Sequence, residues 1–362
     1  MIGGESFDAH PTQYWHALED GRVQCDVCPR HCKLRDGQRG ACFVRAGRGG
    51  GVVLTTYGRS SGFCVDPIEK KPLHHFLPGT AILSFWTAGC NLACSFCQNW
   101  SISRSREMDT LAEEAAPETV ARAARKLGCR SVAFTYNDPV VFLEYAVDCA
   151  KACRRLGIKA VAVTAGYVLG PAREELFRHM DAANVDLKSF RDAFYRRHCS
   201  GDLQTVLDTL VYLKRETACW LELTTLLIPG ENDSATELDE LAAWVARELG
   251  RDVPLHFTAF HPAWKMTDRP PTPPEILEEA HRIAGRHGLR HVYTGNVRDP
   301  EGGSTRCAAC GRRLIGRDWF ALTEWNLRDG ACRFCGEPCA GVFEDRPGDW
   351  GARCVPVSLA AL

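Results

Sequence analysis

The sequence has no apolar run that approaches the roughly 20 residues of a membrane-spanning helix. Its first residues, Met1 to Glu5, also lack the pattern of a signal peptide. Neither sign of charge is in excess, since 44 Lys and Arg residues stand against 45 Asp and Glu residues, for a net charge of −1. These absences argue against an integral membrane protein, an exported protein and an overall polyanion-binding surface. We therefore expect a cytoplasmic protein with no membrane partner.

Cysteine, in contrast, is abundant, and its distribution indicates metal binding. The chain has 19 cysteines among 362 residues. Because C-x2-C spacings in a chain without an export signal indicate metal ligation rather than disulfides, we expect metal sites. Eleven of the cysteines fall into three clusters, namely Cys25, Cys28, Cys32 and Cys42, then Cys90, Cys94 and Cys97, then Cys307, Cys310, Cys332 and Cys335.

The middle cluster follows an apolar run, Ala81 to Trp86, that is typical of a buried strand. A tight turn at Gly89 then opens a loop with the spacing C-x3-C-x2-C. Three thiolates suit a 4Fe-4S cluster in which one iron is left open for an outside ligand. A zinc site would require a fourth ligand or a catalytic water, and three core cysteines are the remaining alternative.

With Phe96 placed before its last cysteine, this loop resembles that of the radical S-adenosylmethionine (SAM) superfamily. The resemblance implies that Cys90, Cys94 and Cys97 hold a catalytic 4Fe-4S cluster whose open iron chelates the methionine part of SAM. It also implies reductive cleavage of SAM to a 5'-deoxyadenosyl radical.

Strands and helices alternate from Thr80 onward, which is typical of a parallel α/β domain. The resemblance to the superfamily implies a (β/α)6-type partial TIM barrel. The predicted strands are 81–86, 131–136, 160–164, 183–188, 220–228, 255–260 and 291–294. The predicted helices are 117–127, 140–156, 171–180, 203–215, 235–249 and 274–287.

Polar residues at the carboxyl ends of these strands are the expected site residues, because parallel barrels place their chemistry there. By resemblance, Asn137 and Asp138 lie where the superfamily contacts the SAM amino group. Asp186 and Lys188 resemble the segment that meets the SAM carboxylate and ribose in glycyl-radical activating enzymes. A simple ion pair is the alternative for these two residues. His256 and His261 are candidates for binding at the site or for proton transfer.

The amino-terminal cysteines form a module with the pattern C-x2-C-P-x2-C-x-L-x2-G-x2-G-x-C. Their four thiolates suit structural zinc or a second iron–sulfur cluster, and the sequence leaves both open. Placed ahead of the central loop, this pattern resembles the radical SAM enzyme of the AmmeMemoRadiSam system. That resemblance implies Memo-type and AMMECR-type proteins as partners.

The carboxyl-terminal cysteines have a spacing close to that of a zinc ribbon. Two short strands, 313–317 and 319–322, are predicted between the two pairs. Four thiolates leave no open coordination position, so zinc here would be structural. The extra thiols Cys339 and Cys354 leave a cluster as the alternative.

The sequence thus predicts an amino-terminal four-cysteine module with linker (1–76), a radical SAM barrel (77–298) and a ribbon-like module (299–362). The predicted activity is abstraction of hydrogen from a substrate, with an electron donor of flavodoxin or ferredoxin type. One alternative is an activating enzyme for a pyruvate formate-lyase-type glycyl-radical protein. The other is a zinc-ribbon protein that binds RNA or protein and has an inactive barrel.

Overall fold

The computed structural model of the protein describes residues 9–104, 111 and 113–359. The residues before 9, on which the expectation about a signal peptide depends, lie outside the described part, as do residues 360–362 of the predicted third domain. Within these described ranges, no helix is both long and apolar enough to cross a membrane.

Short strands build the amino-terminal module. The strands are β1 (His10–Pro11), β2 (Trp15–Ala17), β3 (Val23–Cys25), β4 (Lys33–Leu34), β5 (Arg45–Arg48), β6 (Gly51–Leu54) and β7 (Arg59–Ser60). Strands β2, β3 and β4 form one three-stranded antiparallel sheet, and β1, β6 and β5 form another.

A nine-stranded sheet forms the centre of the molecule. Its strands are β8 (Gly62–Pro67), β9 (Ala81–Trp86), β11 (Ser131–Phe134), β12 (Lys159–Thr164), β13 (Ala182–Asp186), β14 (Trp220–Leu227), β15 (Leu255–Ala259), β16 (Val292–Gly295) and β22 (Val355–Val357). The strand order is β16-β15-β14-β13-β12-β11-β9-β8-β22. The strands from β9 to β16 run parallel, whereas β8 and β22 are antiparallel additions at one edge. The short strand β10 (Glu113–Glu114) pairs with β7 instead.

Helices connect the parallel strands, as the sequence predicts. They are α1 (Trp100–Ser103), α2 (Pro117–Lys126), α3 (Leu143–Arg155), α4 (Gly170–Arg178), α5 (Asp192–Phe194), α6 (Leu203–Glu216), α7 (Ala235–Trp244) and α8 (Pro274–Arg286). A 3-10 turn, Pro139–Phe142, precedes α3, and π-helical turns, Tyr195–Cys199 and Val245–Leu249, follow α5 and α7. The six crossovers lead to a seventh parallel strand, one more than a (β/α)6 unit contains.

Strand pairing crosses the predicted domain boundary at residue 76. Strand β8 lies in the range expected for the linker, yet it pairs with β9 from Gly62↔Trp86 to Pro67↔Ala81. Strand β22, from the range expected for the ribbon, pairs with β8. The central sheet therefore includes β8 from the predicted linker and β22 from the predicted ribbon. Without β8, the edge of β9 would have unpaired backbone groups.

The segment between β8 and β9 enters the interior of the barrel. Glu222, on β14, accepts hydrogen bonds from the backbone N–H groups of His74 (3.0 Å) and His75 (2.8 Å). The Pro72 carbonyl accepts from the Asn184 side chain at 2.8 Å. Both histidines are buried, so this segment packs against side chains of β13 and β14.

The carboxyl-terminal module packs against the base of the barrel. Its strands are β17 (Thr305–Arg306), β18 (Arg313–Asp318), β19 (Ala321–Trp325), β20 (Leu327–Arg328) and β21 (Ala331–Cys332). The predicted strand 319–322 is wrong by two residues, because Trp319 has a φ of 58° and turns the chain between β18 and β19. The buried Arg317 guanidinium donates to the His74 carbonyl at 2.7 Å and so ties this module to the barrel.

Candidate active site

The loop that carries Cys90, Cys94 and Cys97 starts directly after β9 and is fixed by its backbone. Gly89 has a φ of +78°, and a Cβ at this position would lie 1.9 Å from the Cys42 carbonyl oxygen. Only glycine fits such a close approach in this conformation. The N–H groups of Ala93 and Ser95 donate to the carbonyls of Cys199 and His198, both at 2.8 Å. The loop is therefore held between the amino-terminal module and the π-helical turn.

The three thiols fit a cluster of several irons better than a single metal ion. All three line one cavity, but among the described residues their sulfurs do not form a set within 4.8 Å of one another, as the ribbon sulfurs do. Ligands to different irons of one cluster stand further apart than ligands to a single ion. Burial and the neighbouring Cys94 raise the pKa of Cys97, so a metal has to displace protons from these thiols.

The cavity, about 310 Å³, is lined by residues at or after the carboxyl ends of all seven parallel strands. A larger depression, of about 720 Å³, lies beside Tyr167 and Arg196, but its wall contains no thiol. The structure brings together five of the residues that the sequence predicts as SAM contacts. Those five, which line the cavity with the three cysteines, are Phe96, Asn137, Asp138, Asp186 and Lys188.

Asn137 holds the start of the cluster loop in place. Its Oδ1 accepts from the Thr87 N–H at 3.1 Å, and its Nδ2 donates to the carbonyls of Ala88 (3.2 Å) and Gly89 (3.0 Å). The amide group is thus committed to the loop backbone, which gives Asn137 a positioning role at the site.

Asp138 is buried and accepts three hydrogen bonds. Its donors are the Val140 N–H (3.0 Å), the Thr164 hydroxyl (2.8 Å) and the Ala165 N–H (2.8 Å). Burial raises the pKa of Asp138, although these bonds oppose the shift. The carboxyl group therefore joins the ends of β11 and β12 in the cavity wall.

Asp186 and Lys188 form an ion pair with an Nζ–Oδ2 distance of 2.9 Å. Burial by itself would lower the pKa of Lys188, but the charges of Asp186 and of the thiols Cys94 and Cys199 outweigh it and raise this pKa. The lysine is therefore a cation in the cavity wall, close to the cluster ligand Cys94. The two roles considered from the sequence, an ion pair and a contact with SAM, are compatible, because the ion-paired residues also line the cavity.

The two histidines predicted at the site lie elsewhere. His256 is buried in the barrel interior, where its Nε2 bonds to Glu222 at 2.7 Å. His261 is exposed, and neither residue is among those that line the cavity. Their placement gives no support to a contact with SAM, because His256 lies near the amino end of β15 and the cavity is at the carboxyl ends of the strands.

The carboxyl-terminal cysteines form a compact four-thiol group. The Sγ atoms of Cys307 and Cys335 are 3.6 Å apart, those of Cys310 and Cys332 are 3.7 Å apart, and all four lie within 4.8 Å of one another. Tetrahedral zinc with Zn–S bonds of about 2.3 Å requires S···S distances of about 3.8 Å. The four residues thus fit a single tetrahedral metal ion.

The amino-terminal cysteines face one another but are less compact. Cys25 and Cys42 are buried together, and burial raises the pKa of Cys25 to about 11, with a smaller contribution from the charge of Cys42. No three of the four sulfurs lie within 4.8 Å of one another. Arg30 of this module donates to the Asn91 carbonyl of the cluster loop at 2.8 Å. This module therefore contacts the cluster loop, and its sulfurs, like those of the loop, do not form a group within 4.8 Å of one another.

The sequence prediction missed three polar residues near or in the cavity wall. Lys70 and Lys71 line the cavity, and Asp66 on β8 binds both of them. Adjacent lysines before a proline in an apolar stretch are a weak signal that could have pointed to the first two. Asp66 gave no signal, because β8 itself was not predicted.

Comparison with known proteins agrees with this geometry. The sequence model of the radical SAM superfamily matches residues 84–242. An uncharacterized protein of Methanocaldococcus jannaschii is 39% identical over 328 residues, which cover 90% of this chain and 97% of that protein. A pyruvate formate-lyase-activating enzyme of Clostridium pasteurianum is 26% identical over 170 residues, which cover 46% of this chain and 69% of that enzyme.

Two solved structures illustrate the similarity. A domain of a pyruvate-formate lyase-activating enzyme from Bacteroides vulgatus aligns with a TM-score of 0.41 and 20% identity, over 46% of this chain and 99% of that one. A radical SAM methyltransferase from Sphaerobacter thermophilus aligns with a TM-score of 0.46 and 17% identity, over 84% of this chain and 81% of that one.

Residues 84–242 of this chain form a domain of the radical SAM superfamily, whose members are enzymes that use a 4Fe-4S cluster and SAM. Over most of its length the chain shares a family with the M. jannaschii protein, and its radical SAM domain is similar to pyruvate formate-lyase-activating enzymes.

Proposed function

We propose that this protein is a radical SAM enzyme that abstracts hydrogen from its substrate. The proposal is supported by one observation: the three thiols and residues from the ends of seven strands line the same cavity. When bound there, the 4Fe-4S cluster supplies the electron that cleaves SAM to methionine and a 5'-deoxyadenosyl radical.

The residues of the chain have distinct tasks in this proposal. Cys90, Cys94 and Cys97 hold the cluster and leave one iron open. Lys188, oriented by Asp186, binds an anionic part of SAM, because both residues line the cavity. Phe96, which packs on Phe194 with ring centroids 5.7 Å apart, closes the apolar side and excludes water.

The other metal sites follow from their thiol spacing. We assign one structural zinc ion to the ribbon, since its sulfur distances fit a single tetrahedral ion. We assign a second iron–sulfur cluster to Cys25, Cys28, Cys32 and Cys42, because their wider spacing suits ligands of several irons. The contact of Cys42 with Gly89 would place that cluster next to the catalytic loop.

For partners, we propose an electron donor of flavodoxin or ferredoxin type, since SAM cleavage consumes one electron. The amino-terminal cysteine pattern supports membership of an AmmeMemoRadiSam system, with Memo-type and AMMECR-type proteins as further partners.

Activation of a glycyl-radical protein is the second candidate. The similarity to the C. pasteurianum activating enzyme favours it. The two additional cysteine modules argue against it, because their thiols lie outside residues 84–242, which match the radical SAM superfamily model.

An RNA-binding ribbon with an inactive barrel has less support from the structure. Arg306 and Arg313 both pair with Glu301, and Arg317 is buried against the barrel. Three of the arginines that would meet a phosphate backbone are thus already engaged, and the central thiols are intact.

The experiment that tests the proposal follows 5'-deoxyadenosine under anaerobic conditions. The reconstituted protein is given dithionite and SAM, and a Cys90→Ala/Cys94→Ala/Cys97→Ala variant is treated in parallel. A Cys219→Ala variant, which removes a buried thiol outside the three clusters, is the matched control. Iron, sulfide and zinc are counted in each sample.

We expect deoxyadenosine from the wild type and from Cys219→Ala, but none from the triple variant, which should also lose about four irons. A wild-type protein that carries its full cluster and binds SAM but makes no deoxyadenosine, even with a flavodoxin reductant, would contradict the proposal and favour the binding-protein alternative.

A further inference from the structure

Two lysines from the segment that enters the barrel lie in the wall of the candidate active site. Lys70 and Lys71 line the same cavity as the three cluster cysteines, and neither belongs to the residues expected to hold SAM. The inference below rests on the proposed function, since it takes this cavity to be the substrate site.

The two ammonium groups share one carboxylate. Lys71 Nζ lies 2.6 Å from Asp66 Oδ2, and Lys70 Nζ lies 3.0 Å from Asp66 Oδ1. Asp66 is fully buried and the Lys71 side chain is only 2% exposed, whereas the Lys70 side chain is 31% exposed. Burial lowers the pKa of Lys71, and the charge of Asp66 opposes this shift. With both lysines protonated, the group of three has one positive charge in excess, and Lys70 is the lysine that solvent can reach.

The other carboxyl groups that line the cavity have different partners. Asp186 is paired with Lys188. Asp138 accepts from Thr164, Val140 and Ala165. Besides Asp66, Lys70 contacts two weak or neutral acceptors, the thiol of Cys354 at 3.3 Å and the hydroxyl of Tyr136. Among the described residues, no second carboxylate pairs with Lys70, so an anionic ligand has only these weaker acceptors to displace.

Tyr136 gives independent evidence that this wall is a built site. It has a φ of 65°, in the left-handed region that bulky residues rarely adopt. The ring is held by an edge contact with Trp86, and its hydroxyl donates to Asp66 Oδ2 at 2.9 Å. Lys71 Nζ lies 4.7 Å from the ring centroid. Strain of this kind persists where the surroundings enforce it, and it concentrates at functional sites.

We infer that Lys70, supported by Lys71 and Tyr136, binds an anionic group of the substrate, a carboxylate or a phosphate. The ligand charge would balance the positive charge that Asp66, shared between two lysines, leaves uncompensated. Burial alone would lower the pKa of Lys70, but the hydrogen bond and charge of Asp66 outweigh it and raise this pKa, so the group is an ammonium at neutral pH.

The test measures anion binding to the reconstituted protein by anaerobic calorimetry at low ionic strength. SAM is present at saturation, so that its own carboxylate is not the anion that is measured. Inorganic phosphate and succinate are titrated separately into the wild type, Lys70→Gln and Lys70→Arg. Lys151→Gln, which removes an exposed lysine on α3, is the matched control. Iron content shows whether each variant has kept its cluster.

We expect Lys70→Gln to weaken binding by about ten-fold or more, the effect of one charge-assisted hydrogen bond. Lys70→Arg and Lys151→Gln should stay within about three-fold of the wild type, since each leaves a cation at residue 70. Tighter binding of phosphate would identify a phosphorylated substrate, and tighter binding of succinate would identify a carboxylic acid.

Equal affinity in the wild type and Lys70→Gln would overturn the inference, as would a wild-type Kd above about 10 mM for both anions. The proposed function fails by a different observation, the absence of deoxyadenosine from the wild type, which does not depend on either titration.

Discussion

Asp66 and Glu69 are buried carboxyl groups whose pKa values shift in opposite directions. Although burial raises the pKa of Asp66, the Lys71 ammonium outweighs it and holds that pKa well below its usual range. Burial raises the pKa of Glu69 to about 7, because Arg317, with Nε 3.8 Å from Oε1, compensates only in part. Oε2 of Glu69 has no hydrogen-bond partner among the described residues.

The free energy of unfolding of Glu69→Gln should fall less than that of the wild type as the pH rises from 4 to 8. In the unfolded chain Glu69 titrates at about 4.3. Between that pH and about 7 the folded state binds a proton that the unfolded state has lost, so the free energy of unfolding falls as the pH rises through this range. The stability of the variant relative to the wild type should therefore increase by about 2–4 kcal/mol between pH 4 and pH 8. Urea unfolding at several pH values measures this difference, and parallel curves for the two proteins would contradict it.

Lys188→Met should weaken SAM binding while the cluster is retained. The variant removes the cavity cation but keeps a side chain of similar length, so we expect a loss of about ten-fold or more in affinity. Lys159→Met is the matched control, because Lys159 forms an ion pair of 2.8 Å with Asp181 and does not line this cavity. Equilibrium binding of SAM to both variants and their iron content provide the measurement. Equal affinity in the two variants would exclude a role for Lys188 in SAM binding.

At the scale of elements, the candidate site depends on how one loop meets its neighbours. The turn at Gly89 lies against the carbonyl of Cys42, and the π-helical turn Tyr195–Cys199 binds the other side of the loop through two backbone hydrogen bonds. The cluster loop is therefore positioned by parts of the chain about 50 residues before and 100 residues after it.

Gly89→Ala should destabilise the protein by more than the cost of placing an alanine in a left-handed backbone conformation, and it should disturb the cluster site. A left-handed conformation costs an alanine about 1–2 kcal/mol, and here its Cβ would also overlap the Cys42 carbonyl oxygen. Gly128→Ala is the matched control, since Gly128 has a φ of +70° and open space around the Cβ position. We expect the control to lose about 1–2 kcal/mol of stability with full iron content. Gly89→Ala should lose more than twice that amount and part of its iron. Similar stability and iron content in both variants would contradict this prediction, because they would show that the cluster loop can move away from the Cys42 carbonyl without loss of free energy.

At the scale of the whole molecule, three sequence segments contribute to one sheet. Strand β22 covers the edge of β8, and Arg317 reaches the His74 carbonyl inside the barrel. The ribbon is thus part of the base of the barrel, and we expect its metal site to stabilise the chain as a whole.

Cys310→Ser/Cys335→Ser should remove one zinc ion and leave the iron content unchanged. Because metal binding to such sites is coupled to folding, the free energy of unfolding should fall by several kcal/mol. The loss should affect the barrel and the ribbon together, in one transition. Cys354→Ser is the control, since this exposed thiol lies outside the four-thiol group. Metal analysis and chemical unfolding followed by tryptophan fluorescence check both parts. A barrel that unfolds at the wild-type denaturant concentration would show that the ribbon is energetically independent.

The sequence alone determined the parts of this protein that depend on neighbours along the chain. Apolar runs fixed the seven parallel strands and their helices to within a few residues, because burial patterns follow the local period of each element. The spacing of Cys90, Cys94 and Cys97 located the metal loop, and the resemblance to the superfamily, together with the rule that parallel strands place chemistry at their carboxyl ends, located five further cavity residues.

Only the tertiary structure decided which distant groups meet. Strand β8 has no strong pattern of its own and forms because β9 needs a partner, and with it comes Asp66, the counter-ion of two cavity lysines. His256 lies on a parallel strand as several cavity residues do, but Glu222, 34 residues earlier, binds its side chain in the interior. These pairings depend on distances between residues far apart in sequence, which local spacing does not encode.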